Sequence, residues 1–168
     1  MQEVAAALLS AWLVVGKQIA ILSCRLVNVA RQDPAVRRLM TAPGVGAVIA
    51  MTYVSMIDDP GRFARSRDVG AYLGLTPRRY QSGEMDRSGR ISKCGDALMR
   101  GYLFEAAGII LNRVSRWSAL KAWGTRLVKK IGGKKATVAV ARKLAVILHR
   151  MWRDASTFRW ADAKEHAA

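Results

Sequence analysis

Cysteine, histidine and acid are the scarce residues of this 168-residue chain. Its two cysteines, Cys24 and Cys94, stand alone without C-x-x-C spacing. That excludes a disulfide scaffold or a zinc module and fits a reducing, cytoplasmic setting. Two histidines, His149 and His166, are too few and too scattered to suggest a metal site. Only 12 Asp and Glu accompany 28 Lys and Arg. No element gathers the spaced carboxylates that an independent two-metal nuclease needs. The opening residues lack the basic leader of a signal peptide, since the first charge is Glu3. Residues 4 to 15 are nearly all apolar, but Lys17 and Gln18 interrupt the run before a bilayer span is reached. No membrane partner is therefore expected. Internal repeats and low-complexity segments are also missing.

Apolar residues make up 51% of the chain, enough for one good core and too many for a basic disordered tail. The formal charge of +16 calls for a polyanionic partner. Nucleic acid is the first candidate and an anionic membrane surface the second. From Arg113 to Arg153 there are twelve Lys or Arg and no Asp or Glu. A solvated helix face normally mixes signs, so this run reads as a surface that an anion covers, with Lys134, Lys135, Arg142 and Lys143 as contact residues.

Periodicity predicts a mainly α protein. Residues 2 to 32 read as one long helix with a seam of Leu8, Trp12, Val15, Ile19, Leu22, Leu26 and Val29, spaced alternately by four and three. Its apolar flanks (Leu9, Leu13, Val14, Ile21, Val27) exceed what one helix can hide, so a partner helix and a homo-oligomer are expected. Asp33-Pro34 reads as a capped helix start. The helix–PGVG–helix stretch around Gly44 and Gly46 resembles a helix-hairpin-helix element, whose glycines would let a phosphate approach the backbone. Asp58 and Asp59 read as turn residues. Ser66 is placed as the cap of a short helix with Val69, Tyr72 and Leu73 in the core. Helices are predicted over residues 96 to 114, 118 to 131 and 136 to 153, the first with Leu98, Tyr102, Leu103, Ala106, Ile109 and Ile110 facing inward. The tail from residue 155 reads as polar and frayed. Residues 1–32 thus form an oligomerisation helix and 33–154 a compact basic domain.

Between these helices lies "PRRYQSGEMDRSGRISKCGD", residues 77 to 96. It shows no helical periodicity and reads as an irregular basic loop, or as a short hairpin pairing its two ends. Ser82 and Ser88 each adjoin a glycine, Gly83 or Gly89. Arg78, Arg79, Arg87, Arg90 and Lys93 are suited to grip phosphate oxygens and to stabilise a phosphorane. No His or Cys is nearby for an acyl-transfer triad, so such a site favours phosphate over carbonyl chemistry. A basic loop that only clamps phosphates fits the same residues.

The ordered run "APGVGAVIA", "LGLTP", "QSG" and "GRISKCGD" resembles the C-terminal transposase domain of the insertion sequence 110 family, over about residues 34 to 154. The long helix before it resembles that family's coiled-coil linker. The resemblance implies DNA transposition by a serine nucleophile guided by a structured RNA, with Ser82 in the nucleophile position and Ser88 and Ser92 in neighbouring ones. It implies a covalent phosphoserine and a free 3′-hydroxyl. It also implies an RNase H-like domain with magnesium-binding acids, which this sequence does not carry, so this chain is expected to hold no cofactor and to be incomplete alone. Two other classes remain: a non-catalytic nucleic-acid-binding module, and a membrane-surface protein using residues 1 to 32.

Overall fold

The computed structural model describes residues 2–82 and 85–160. It is mainly helical, as the periodicity requires. Helix α1 (Gln2–Gln32) runs unbroken for 31 residues. Among the described residues only its last turns meet the rest of the chain, through buried Ala30 and half-buried Leu26 and Val27. The seam upstream stands in solvent, with Trp12 70% and Leu8 67% exposed. By length and composition alone α1 is apolar enough to cross a membrane. Lys17 and Gln18 therefore do not by themselves cut the run short, because Lys17 is the one charged residue between Glu3 and Arg25 and the mean hydropathy stays high.

The compact part is a helical cluster built around α7 (Gly133–Arg153). This helix packs against α2 (Pro34–Leu39), α4 (Val69–Tyr72), α5 (Ala97–Asn112) and α6 (Ala119–Ile131). It buries Val140, Ala141, Leu144, Ala145, Leu148 and Met151. The alternation of small and large side chains lets neighbouring helices approach and interdigitate. Helix α3 (Ala47–Ile57) is tied in by Tyr53, whose hydroxyl donates to the Ala145 carbonyl at 2.7 Å. Burial pushes the Tyr53 phenol far above its ordinary pKa, so it stays a neutral donor.

Local capping explains the boundaries. The Asp33 carboxylate accepts from the amides of Ala35 (2.7 Å) and Val36 (3.2 Å), and Pro34 opens α2. Asp96 caps α5 through Met99 N–H at 2.7 Å, and Ser118 caps α6 through Lys121 N–H at 3.2 Å. Gly132, at φ +84°, breaks α6 from α7.

Four local expectations differ from the fold. On α5 the buried stripe is Met99, Leu103, Ala106, Ala107 and Ile110, while Leu98 is exposed. The 4-3-4 spacing from Met99 fits the helical period, and Leu98 falls off it. Tyr72 is 40% exposed rather than core, its hydroxyl donating to Met56 O. Ser66 caps no helix, because its hydroxyl meets His149 Nδ1 at 3.0 Å. The segment after Asp154 does not fray as far as Trp160. Phe158 is buried, its N–H donates to Thr41 Oγ1 at 2.9 Å, and its ring meets Trp160 edge-on.

One antiparallel hairpin projects from this cluster, β1 (Pro77–Ser82) and β2 (Met85–Ile91). The short-hairpin expectation for residues 77 to 96 is the one realised. Its register pairs Arg79 with Ser88, Tyr80 with Arg87, Gln81 with Asp86 and Ser82 with Met85. Gly83, expected to give a phosphate room beside Ser82, lies outside the described residues.

Candidate nucleic-acid interface and serine hairpin

The hairpin is fixed to the helices at its base by backbone-to-backbone contact. Gly74 sits at φ +67°, and a Cβ there would stand 2.6 Å from Cys94 N. A Cβ on Gly95 would stand 2.6 Å from both Leu73 C and Leu73 Cα. No side chain fits at either place, so the two backbone segments touch directly. Amides then tie them together, Ser92 N–H to Thr76 O at 2.8 Å and Lys93 N–H to Gly74 O at 3.0 Å. Arg100, from the first turn of α5, donates to the Gly95 carbonyl and to Leu73 O at 3.5 Å. Arg78 closes the stem by donating to Ser92 O at 3.1 Å.

Register decides which loop residues act together. Side chains of a strand alternate between faces, so Tyr80 and Ser82 share one parity with Arg87, which pairs with Tyr80. Ser88 pairs with Arg79 at the opposite parity. Tyr80, Gln81, Ser82 and Arg87 line a cleft of about 230 Å³. Ser82 and Arg87 are exposed, as are Arg78, Arg79 and Arg90. Ser92 is half-buried at the stem, its carbonyl taken by Arg78. Lys93 is exposed at φ +56°, a left-handed position on the turn leading to α5.

The PGVG turn divides its glycines between two jobs. Gly44, at φ +75°, lies against α5, where a Cβ would stand 2.7 Å from Ala106 O. Its glycine is needed for helix packing. Gly46 is exposed with nothing within 4 Å of a Cβ, and it starts α3 without any side-chain cap. The amides of that first turn remain open to an anion.

On the other side, Lys134 and Lys135 are exposed in the first turn of α7, which Gly132 leaves without a side-chain cap. Cations at a helix N-terminus oppose its dipole, an arrangement that an anion would relieve. Arg142 leans over α4, its Cγ 3.0 Å from a Cβ placed on Gly70, and Gly70 O accepts from Leu75 N–H just before β1. Arg142 thus joins the basic face of α7 to the hairpin mount. Lys143 Nζ lies 4.4 Å from the Trp123 ring centre on α6. At the end of the run, Asp154 pairs with Arg150 at 3.4 Å and Arg153 at 3.1 Å.

Among the described residues no three His, Cys, Asp or Glu come together to hold a metal ion. Asp59 is occupied in its own turn, accepting from Gly61 N–H at 2.7 Å. The hairpin offers the chemistry of hydroxyl, guanidinium, phenol and amide groups.

Three side chains here went unmarked in the sequence. Tyr80 had a signal, because it sits two residues from Ser82 in an extended run. Arg100 follows the glycine it grips by five residues, a spacing with no distinctive mark. His149 bonds Ser66 and, at 3.0 Å, Pro60 O across more than eighty residues, a contact that local reading cannot find.

Comparison with known proteins bears on the same segments. The family model of the IS116/IS110/IS902 transposases matches residues 36–123, just over half of the chain. A Sinorhizobium fredii protein named as the transposase y4pF/y4sB is 32% identical over 149 residues, 88% of this chain and 38% of its own length. The transposase for insertion sequence element IS1111A of Coxiella burnetii is 32% identical over 135 residues, 80% of this chain and 37% of its own. The pilin gene-inverting protein of Moraxella lacunata is 30% identical over 122 residues, 71% of this chain and 37% of its own. This chain therefore spans less than two-fifths of the length of each. With the match running from α2 through the hairpin into α6, the chain belongs to the IS116/IS110/IS902 transposase family.

Proposed function

We propose that this chain is the serine-bearing part of a DNA transposition site, with Ser82 as the nucleophile. The observation that carries the reading is the opening of Ser82 and Arg87 into one cleft, on a hairpin welded to the basic domain of a transposase family member. Ser82 Oγ forms a bond to phosphorus as the P–O3′ bond breaks. The hydroxyl proton ends on the departing 3′-oxygen, and a phosphoserine ester keeps the phosphate activated for rejoining. Arg87 stabilises the charge that builds on the phosphorane, and Arg79 and Arg90 are further cations of the same hairpin that hold the flanking backbone. Arg78, already bound to Ser92 O, holds the stem.

DNA is the substrate and structured RNA the guide, both bound through the acid-free face of Lys134, Lys135, Arg142 and Lys143. Self-association through α1 brings copies together, since its exposed seam is larger than an ordinary surface patch. Activation of so weak a nucleophile would come from metal held by the acidic groups of an RNase H-like domain. The protein acts in the cytoplasm, where its DNA is.

The test is covalent capture. Supplied with an RNase H-like domain, guide RNA and nicked DNA, the chain should form an adduct that protease removes. Ser82→Ala should abolish the adduct and keep DNA affinity, whereas Ser88→Ala should only weaken it. Mass spectrometry locating the phosphodiester on Ser88 or Ser92 overturns the assignment. Cleavage without any adduct overturns the serine mechanism. A non-catalytic binding module, which the uncapped basic start of α7 would also serve, predicts salt-sensitive binding and neither cleavage nor adduct.

A further inference from the structure

Beside Ser82 the hairpin carries an aromatic group that the cleavage step does not use. Tyr80 is 60% exposed. It is nevertheless held in place. A Cβ on Gly89 would stand 3.0 Å from its Cε2 and 3.6 Å from its Cδ2. One edge of the ring therefore rests on bare backbone across the strand pair, and the rest faces solvent. Only glycine at 89 lets the ring lie so low.

The placement relative to Ser82 is what gives this ring a use. Two residues along one strand bring Tyr80 within roughly 7 Å of Ser82 on the same face. That distance is within the reach of a single nucleotide. Arg87, paired with Tyr80, borders the same cleft. At about 230 Å³ the cleft is too small for a compound of drug size and has room for one flat group.

We propose that this cleft is a subsite for one unpaired nucleotide, resting on the reading of Ser82 as nucleophile. Tyr80 stacks the base next to the attacked phosphate, and Arg87 holds that phosphate in front of Ser82 Oγ. A base can offer its face only when it has left its neighbours, so the ligand class is single-stranded or nicked DNA with a displaced base. Stacking accepts any base, so Tyr80 is a positioning residue and does not select sequence.

The experiment uses the full chain with nicked and single-stranded oligonucleotides that carry 2-aminopurine at successive positions. Stacking on Tyr80 quenches the probe at one position. Tyr80→Phe and Tyr80→Trp should keep that quenching. Tyr80→Ala should lose it and weaken binding about tenfold. Because Tyr80 is mostly exposed, its removal leaves the helical core intact. Gly89→Ala provides a second route, retaining the tyrosine but pushing its ring off the seat, and should reduce quenching at the same position. Unchanged quenching in Tyr80→Ala overturns the proposal, as does equal loss in Tyr80→Phe. Ser82→Ala separates the two readings. Tyr80-dependent quenching without any adduct in the complete assembly removes the nucleophile and leaves the subsite. An adduct at Ser82 with quenching indifferent to Tyr80 removes the subsite and leaves the nucleophile.

Discussion

Replacing glycine by alanine at two places six residues apart should move stability in opposite directions. At Gly95 the new methyl would stand 2.6 Å from Leu73 C and Leu73 Cα, well inside any real contact. The obstacle is backbone, which cannot rotate aside as a side chain would. Overpacking of this kind costs about 1–3 kcal/mol. At Gly101, the fifth residue of α5 and exposed, nothing lies within 4 Å of a Cβ. There the substitution relieves the unfolded chain's extra freedom and should add about 0.5–1 kcal/mol. In a chain of this length each kcal/mol moves the midpoint by about 2–4 °C. Gly95→Ala should thus melt several degrees below the unmodified protein and Gly101→Ala a few degrees above it, by far-ultraviolet circular dichroism or calorimetry. Gly95→Ala should also lower adduct formation at Ser82, because the strain sits at the hairpin mount. A Gly95→Ala protein that melts with or above the unmodified chain would refute the backbone contact as the anchor of the hairpin.

Acid should weaken the fold through His149. Burial holds the His149 pKa below its ordinary 6.5, outweighing the Pro60 carbonyl that raises it. Its contribution is therefore complete above about pH 6.5 and is lost as the pH falls below the unfolded pKa, where unfolding takes up a proton. Denaturant melts from neutral to mildly acidic pH should show that loss, and His149→Phe should flatten it. At α1, Ile19→Glu with Leu22→Glu should abolish the self-association proposed for the seam with the domain still folded, read by light scattering. A monomeric unmodified chain would count against the seam, and liposome binding that survives excess DNA would favour a membrane instead. Reversing Lys134, Lys135, Arg142 and Lys143 should flatten the slope of log affinity against log salt, since each neutralised phosphate releases counterion. An unchanged slope would move the contact surface to the hairpin arginines.

Local physics was legible in the sequence because its signals act over a few residues. Asp33-Pro34 marks a helix start through its cap, and the starts read at residues 96 and 118 hold in the fold, whereas α7 begins at Gly133, three residues before the expected position 136. The seam of α1 was visible too, since its period belongs to one helix, and it stands exposed along most of its length. Tertiary structure decided whatever depends on which faces meet. Whether Leu98 or Met99 turns inward follows from the neighbours of α5, not from its composition. Gly44 and Gly46 look alike in the chain, yet one lies against Ala106 and the other opens to solvent. Ser66 finds a histidine more than eighty residues away in place of a helix end. In the basic loop, the sequence by itself determined the residue types: serines, arginines and glycines suited to phosphate. Only the hairpin register put Ser82, Tyr80 and Arg87 around one cleft and Ser88 in a pair of opposite parity. Shifting the register by one residue would exchange those faces, and that register depends on the base held by Gly74, Gly95 and Arg100 as well as on the strands.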